Sequence, residues 1–321
     1  MTVPGPAQPG AARHHRPLPP LRALAPVDRA RWTRSVERAL ARAGADSGLP
    51  RWGARWGLED EAAERLLELV GPVHGPGLGV WIGEDPAVAV ALTRSGAAPV
   101  WLVPSLAAAL AAQRLAERAR EEGQRALEAQ LARLAREQQQ AGWWAGAGPA
   151  SPAAEPPPLA VPPLAVADPL APPLAPGRWH TLVAVDVLPG IDDWERAVAG
   201  WAQALAPEGR LVLGSVSERD QDAPGFLSLV ARTLWPGLVS GLPRSQDLTW
   251  VLHAAGLRVL RASVLRLRLT HQRLVALGAD REALERVLAE ASESARAAYE
   301  IDEEGMTWRY QMLEAQRIET N

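Results

Sequence analysis

The chain has no cysteine, no lysine, a single phenylalanine, two tyrosines and no apolar run long enough to cross a membrane. Without cysteine there can be no disulfide, no thiolate metal site and no cysteine nucleophile, and the redox compartment stays open. A spanning helix needs about 18 or more uninterrupted apolar residues, so no membrane segment is expected. The opening MTVPGPAQPGAARHHRPLPP lacks the continuous apolar core of a secretory signal, and a cytoplasmic location is the expectation. An excess of positive charge is also missing: 34 basic against 37 acidic side chains leave a net charge of -3. That balance gives no broad basic field for a phosphate backbone, so nucleic acid is not an expected partner.

What is present is 321 residues, 47% of them hydrophobic, enough for one large core domain with appendages. All 34 basic residues are arginine, and 13 tryptophans carry most of the aromatic content. Arginine offers a planar fork to anions and tryptophan a stacking surface. The codon usage of a GC-rich genome produces the same bias.

Composition divides the chain. Residues 1–24 read as a disordered tail. Residues 25–72 read as helical, with an Arg/apolar helix over Val27–Ala43 and a second over Glu59–Val70, opened by acids and stopped at Gly71-Pro72. Leu78–Ile82, Ala87–Ser95 and Val100–Val103 then read as strand, helix and strand, a βαβ unit. A long Arg/Glu-rich helix follows from Leu106 to about Gln140, with a break expected near Gly123. Proline dominates 142–177, which reads as an insertion or linker. Order resumes over 178–270: a strand over His180–Leu188, a helix over Asp192–Leu205, a strand over Arg210–Val216, a mobile stretch, a helix over Asp247–Ala255, and a hairpin or long strand over Leu257–Leu269. Residues 271–321 read as helical to the end, broken near Gly278 and Gly305.

Four segments, in order and spacing, resemble the class I S-adenosylmethionine-dependent methyltransferases. GVWIGEDPAVAVALTRSG resembles the first strand, glycine loop and first helix of that family. APVWLVPS resembles its second strand. ADPLAPPLAPGRWHTLVAVDVLPGIDDWERAVAGWAQALAPEGRLVLGSV resembles the adenine loop through the fifth strand, and LTWVLHAAGLRVLRASVLRLR the late helix and closing strands. The resemblance implies an α/β, Rossmann-like, seven-stranded sheet with helices on both faces, an N-terminal helical lid and the proline-rich segment as an insertion. It also implies S-adenosylmethionine as cofactor and a small molecule as substrate.

Residue by residue, the resemblance places Gly83 at the first loop glycine. Asp85 and Ala87 stand at the second and third, with Glu84 between the first two. Trp81 stands where the family has the acid that holds the cofactor's amino group, and Val103 stands at the ribose-binding strand end. Glu84 or Asp85 could take the missing acid's role from a shifted position. Asp168 would accept from the adenine amino group; as a bare sequence feature it equally suits a solvated aspartate. Asp186, near the end of the fourth strand, could contact cofactor, orient substrate or take a proton, or could cap the next turn. His271 is the histidine placed to act as a general base, while His180 and His253 read as structural. No metal-ligating cluster stands out.

Three functions fit. The first is a small-molecule methyltransferase. The second is a degenerate, methyltransferase-like pseudoenzyme without cofactor, acting as partner or scaffold through the Arg/Glu-rich helix or the proline-rich insertion, with Trp143-Trp144 as a docking element. The third, a dinucleotide-dependent oxidoreductase, shares the βαβ start.

Overall fold

The computed structural model describes residues 36, 60–71, 77–83, 86–145, 158–170, 176–191, 193–219, 223, 225–234 and 241–318. The expected tail, and the expected helix over Val27–Ala43 except for the buried Val36, therefore lie outside the described residues. Seven strands form one sheet: β1 (Leu78–Trp81), β2 (Val100–Val103), β3 (Leu164–Val166), β4 (Trp179–Val185), β5 (Leu205–Val216), β6 (Leu257–Thr270) and β7 (Gly305–Arg317). Their order is β3-β2-β1-β4-β5-β7-β6. Pairings from β3 through β5 are parallel, and β7 runs antiparallel between β5 and β6. The described helices are α1 (Asp60–Val70), α2 (Ala87–Arg94), α3 (Leu106–Ala145), α4 (Trp194–Ala204), α5 (Phe226–Leu234), α6 (Ser245–Ala254), α7 (His271–Ala276), α8 (Arg281–Ala289) and α9 (Glu293–Tyr299). Parallel crossovers are right-handed. Because the chain winds one way from β1 to β3 and the other from β4 to β5, its helices cover both faces.

All four residues of β1 are buried, as a strand covered on both faces requires. Sequence expectation and structure part at four places. The long helix is unbroken through Gly123, where a β-carbon would stand 2.6 Å from the Arg94 carbonyl oxygen; the glycine lets α3 lie directly on the end of α2. The stretch expected to be mobile contains α5, whose apolar face is buried. The proline-rich stretch contains β3. A proline has no N–H to give, but its carbonyl still accepts: Trp101 N donates to Pro163 O at 2.9 Å, and β3 pairs only with β2 as an edge strand, where proline is tolerated. Finally, the expected C-terminal helix after Gly305 is instead β7, and Met306, Trp308, Tyr310 and Met312, two residues apart, share one buried face.

α1 is tied to the end of the sheet opposite Gly83. Glu314, buried on β7, pairs with Arg210 at 3.1 Å and with Arg261. The same guanidiniums donate to the last carbonyls of α1, Arg210 to Val70 O at 3.1 Å and Arg261 to Leu69 O at 3.3 Å. Cations at a helix C-terminus complement its dipole.

Candidate functional site

In open α/β sheets, ligands sit beyond the carboxyl ends of the strands where the winding reverses. Here that point lies between β1 and β4. Gly83 follows β1, and a β-carbon on it would stand 2.5 Å from Val185 O and 2.7 Å from Asp186 O. The glycine thus lets the loop press against the end of β4. Asp186 is buried and holds a left-handed φ of 53°, with its N–H donating to Gly214 O at 2.9 Å. Aspartate tolerates that conformation better than most residues, yet it still carries strain, and strain held at a strand end beside a ligand crevice is a mark of function.

Asp168 follows β3 on the same edge, half-buried, with Oδ1 accepting from Leu170 N at 3.0 Å. This Asx turn fixes the loop. Ala167 N donates to Val103 O at 2.8 Å, so the ends of β2 and β3 stay paired. Val103 is fully buried, and Ser105 next caps α3 by accepting from Ala108 N at 3.1 Å. Neither Val103 nor the Pro104 and Ser105 that follow it carries a carboxylate. At the end of β1, Trp81 turns into the core and stacks on Trp201 with ring centroids 5.6 Å apart. The Trp201 indole donates to Pro169 O at 3.0 Å, so these rings brace the Asp168 loop from below.

The fold therefore brings Gly83, Val103, Asp168 and Asp186 to one edge. Glu84 and Asp85 lie outside the described residues, and of Ala87 only its backbone, opening α2, is described. His271 is placed elsewhere: it opens α7 beyond the end of β6, in a hollow between α7 and α8, separated from β4 by β5 and β7. His180 and His253 are exposed. Among the described residues no group of acids and histidines is set to hold a metal, and no helix is long and apolar enough to cross a membrane. The exposed part of α3 carries side-chain pairs at helical spacing, such as Arg133 with Glu137 at 2.8 Å. Trp143 and Trp144 belong to α3, but their side chains are outside the described residues.

Sequence reading missed a buried carboxylate just past β5. Glu218 accepts from Gly225 N at 2.8 Å, Ser228 N at 2.6 Å and Ser228 Oγ at 2.5 Å, and from the Tyr299 hydroxyl at 3.5 Å. It holds the N-terminus of α5, where a negative charge is favoured. The acid's place after an apolar strand was the available signal, but SERDQD reads as a polar loop. Tyr299 packs on Phe226 with ring centroids 5.5 Å apart and accepts from Arg219 N at 3.2 Å. Burial, and secondarily the neighbouring Glu218, push its hydroxyl from 10.0 up to about 12. The folded state then holds this proton more tightly than the unfolded chain, so stability is fully present below pH 10 and falls as pH rises toward 12. No lysine titrates in that window. Urea unfolding at stepped alkaline pH should show this loss, and Tyr299→Phe should flatten it.

No protein-family model matches the sequence, and no curated protein does. Solved structures do resemble the fold. A proposed methyltransferase from Bacillus halodurans C-125 is 11% identical, with 81% of this chain and 100% of that one covered at a TM-score of 0.59. A geranyl diphosphate C-methyltransferase from Streptomyces coelicolor A3(2), solved with Mg2+, geranyl diphosphate and S-adenosyl-L-homocysteine, is 13% identical, covering 92% and 99% at 0.51. The cyclase SpnF is 15% identical, covering 89% and 94% at 0.50. The chain has the class I methyltransferase fold. The antiparallel β7 between β5 and β6 also sets the sheet apart from the 3-2-1-4-5-6 order of dinucleotide-binding folds.

Proposed function

We propose that this chain, built on the class I methyltransferase fold, is an S-adenosylmethionine-dependent methyltransferase acting on a small molecule, and that it holds the cofactor with Asp168 and Asp186. The observation that carries this reading is Asp186: a buried aspartate in a strained, left-handed backbone conformation, whose main chain abuts Gly83 at the point where the winding of the sheet reverses. Asp186 would take the cofactor's ammonium group, the role for which β1 offers only Trp81. Asp168 would accept from the adenine amino group; a carboxylate has roughly four acceptor positions, so the bond to Leu170 does not exhaust it. The ribose end has no carboxylate at Val103 and relies on backbone and shape.

The bound cofactor supplies an electrophilic methyl group. The chain's own contribution is positioning: Asp186 is buried at the end of one strand, Asp168 is tied to Leu170 N past the end of another, and the stacked Trp81 and Trp201 give the Asp168 loop a buried floor. Orientation alone supports methyl transfer without a dedicated acid/base pair.

A second reading, a methyltransferase-like scaffold without cofactor, draws support from Trp81, which is committed to the core, and from the apolar end of β2. Titration calorimetry with S-adenosylmethionine and S-adenosylhomocysteine separates the two. The first reading expects saturable binding, weakened about tenfold by Asp186→Asn through loss of a charged hydrogen bond, with an unchanged melting temperature. No heat at millimolar cofactor leaves the scaffold reading standing.

A further inference from the structure

We infer that the hollow over the upper halves of β6 and β7 binds a small molecule through an oxyanion, phosphate or carboxylate, with Arg309 as its principal contact. That this molecule is the methyl acceptor rests on the methyltransferase reading above; the anion site itself does not.

The hollow encloses about 370 Å³ and is lined by Arg219, Arg266 and Arg309 together with Ala298, Glu300 and Thr307. Among the described residues that line it, three guanidiniums thus face one carboxylate. Glu300 is already committed: it pairs with Arg266 and accepts from Thr307 Oγ1 at 2.8 Å. Those two bonds, that to Arg266 first, hold its carboxyl below the usual range.

Arg309 is different. Each arginine of β6 has a side-chain partner: Arg258 with Gln316, Arg261 with Glu314, Arg266 with Glu300, Arg268 with Asp302. Arg309, half-buried on β7 between β5 and β6 and directly opposite Arg266, has no side-chain hydrogen bond or ion pair among the described residues. A partly desolvated guanidinium without counter-charge, beside another guanidinium, is costly unless an anion completes it. Its planar fork suits the bidentate recognition of phosphate or carboxylate.

The position fits an acceptor site. Arg219 lies just past the end of β5, and Ser217 N donates to Arg309 O at 3.0 Å, level with the ligand edge of the sheet. From β4, whose end Asp186 follows, to β7 is two strand spacings, or about 10 Å. A molecule anchored at Arg309 could thus extend toward that edge.

The test uses the full chain with no cofactor present, titrated at low ionic strength with inorganic phosphate, pyrophosphate and citrate. At least one probe should bind saturably, and pyrophosphate against citrate tells phosphate from carboxylate chemistry. Arg309→Gln should weaken that binding at least roughly tenfold. Arg309→Lys, which keeps the charge and loses the fork, should fall between. Arg133→Gln, on the exposed part of α3, should leave binding unchanged. Absence of binding by all three probes at millimolar concentration, or equal binding by Arg309→Gln, overturns the inference. Since the cofactor is left out, failure here is distinct from failure of the cofactor titration.

Discussion

Replacing Gly83 with alanine is expected to destabilise the fold by roughly 2–3 kcal/mol, the upper part of the roughly 1–3 kcal/mol range for forcing extra carbons into packed structure, and to abolish cofactor binding. The added carbon would meet Val185 O at 2.5 Å, Asp186 O at 2.7 Å and Asp186 C at 2.8 Å. All three are backbone atoms, so no side-chain rotation relieves the contact. Relief requires the β1 loop to lift from the end of β4, and that separates the loop from the carboxylate proposed to hold the cofactor. Urea unfolding gives the stability change and calorimetry the affinity. An unchanged unfolding midpoint in the alanine variant would show that the loop does not press on β4 as described. Asp186→Asn is the informative contrast, because asparagine also tolerates the left-handed conformation that this position adopts; it should change binding and leave stability nearly alone.

Glu218→Ala should cost more, roughly 3–5 kcal/mol, because donors that lose their acceptor in a buried setting cost about 1–3 kcal/mol each. Gly225 N, Ser228 N and Ser228 Oγ would lose their acceptor. Ser228 Oγ also accepts from Leu242 N at 2.8 Å, so the damage would reach the chain leading into α6. Glu218→Gln should fall between, since one amide oxygen still accepts while the new NH2 faces N–H groups. Denaturant unfolding of the three proteins checks the order. If glutamine proved as stable as glutamate, the carboxylate's charge at the start of α5 would be irrelevant.

How far the sequence could be read depends on the range of each signal. The unit β1-α2-β2 was legible because each element announces itself locally, as apolar runs around an apolar helix. Asp168 and Gly83 were placed on one edge through the order and spacing of their segments. Strand β3 was hidden by the prolines that flank it; the carbonyl of Pro163, just before it, still accepts as any residue's would. Strand β7 was hidden by its own composition: Gln311-Met312-Leu313-Glu314-Ala315-Gln316 are mostly helix formers. The slot between β5 and β6 overrides that preference by burying both faces of the strand. At His271 the sequence offered a plausible base, and the topology placed it two strands beyond β5.

By itself, then, the sequence determined the alternation of helix and strand, the exclusion of cysteine and lysine chemistry and the run of segments that resembles a methyltransferase, all carried by neighbouring residues. Only the tertiary structure decided which polar groups matter. Glu218 and Glu314 are buried because distant strands and helices close over them, and the side chain of Arg309 has no partner among the described residues because the pairing of β6 with β7 sets it opposite another arginine. Periodicity is local, whereas the solvation of a charge depends on every element packed around it.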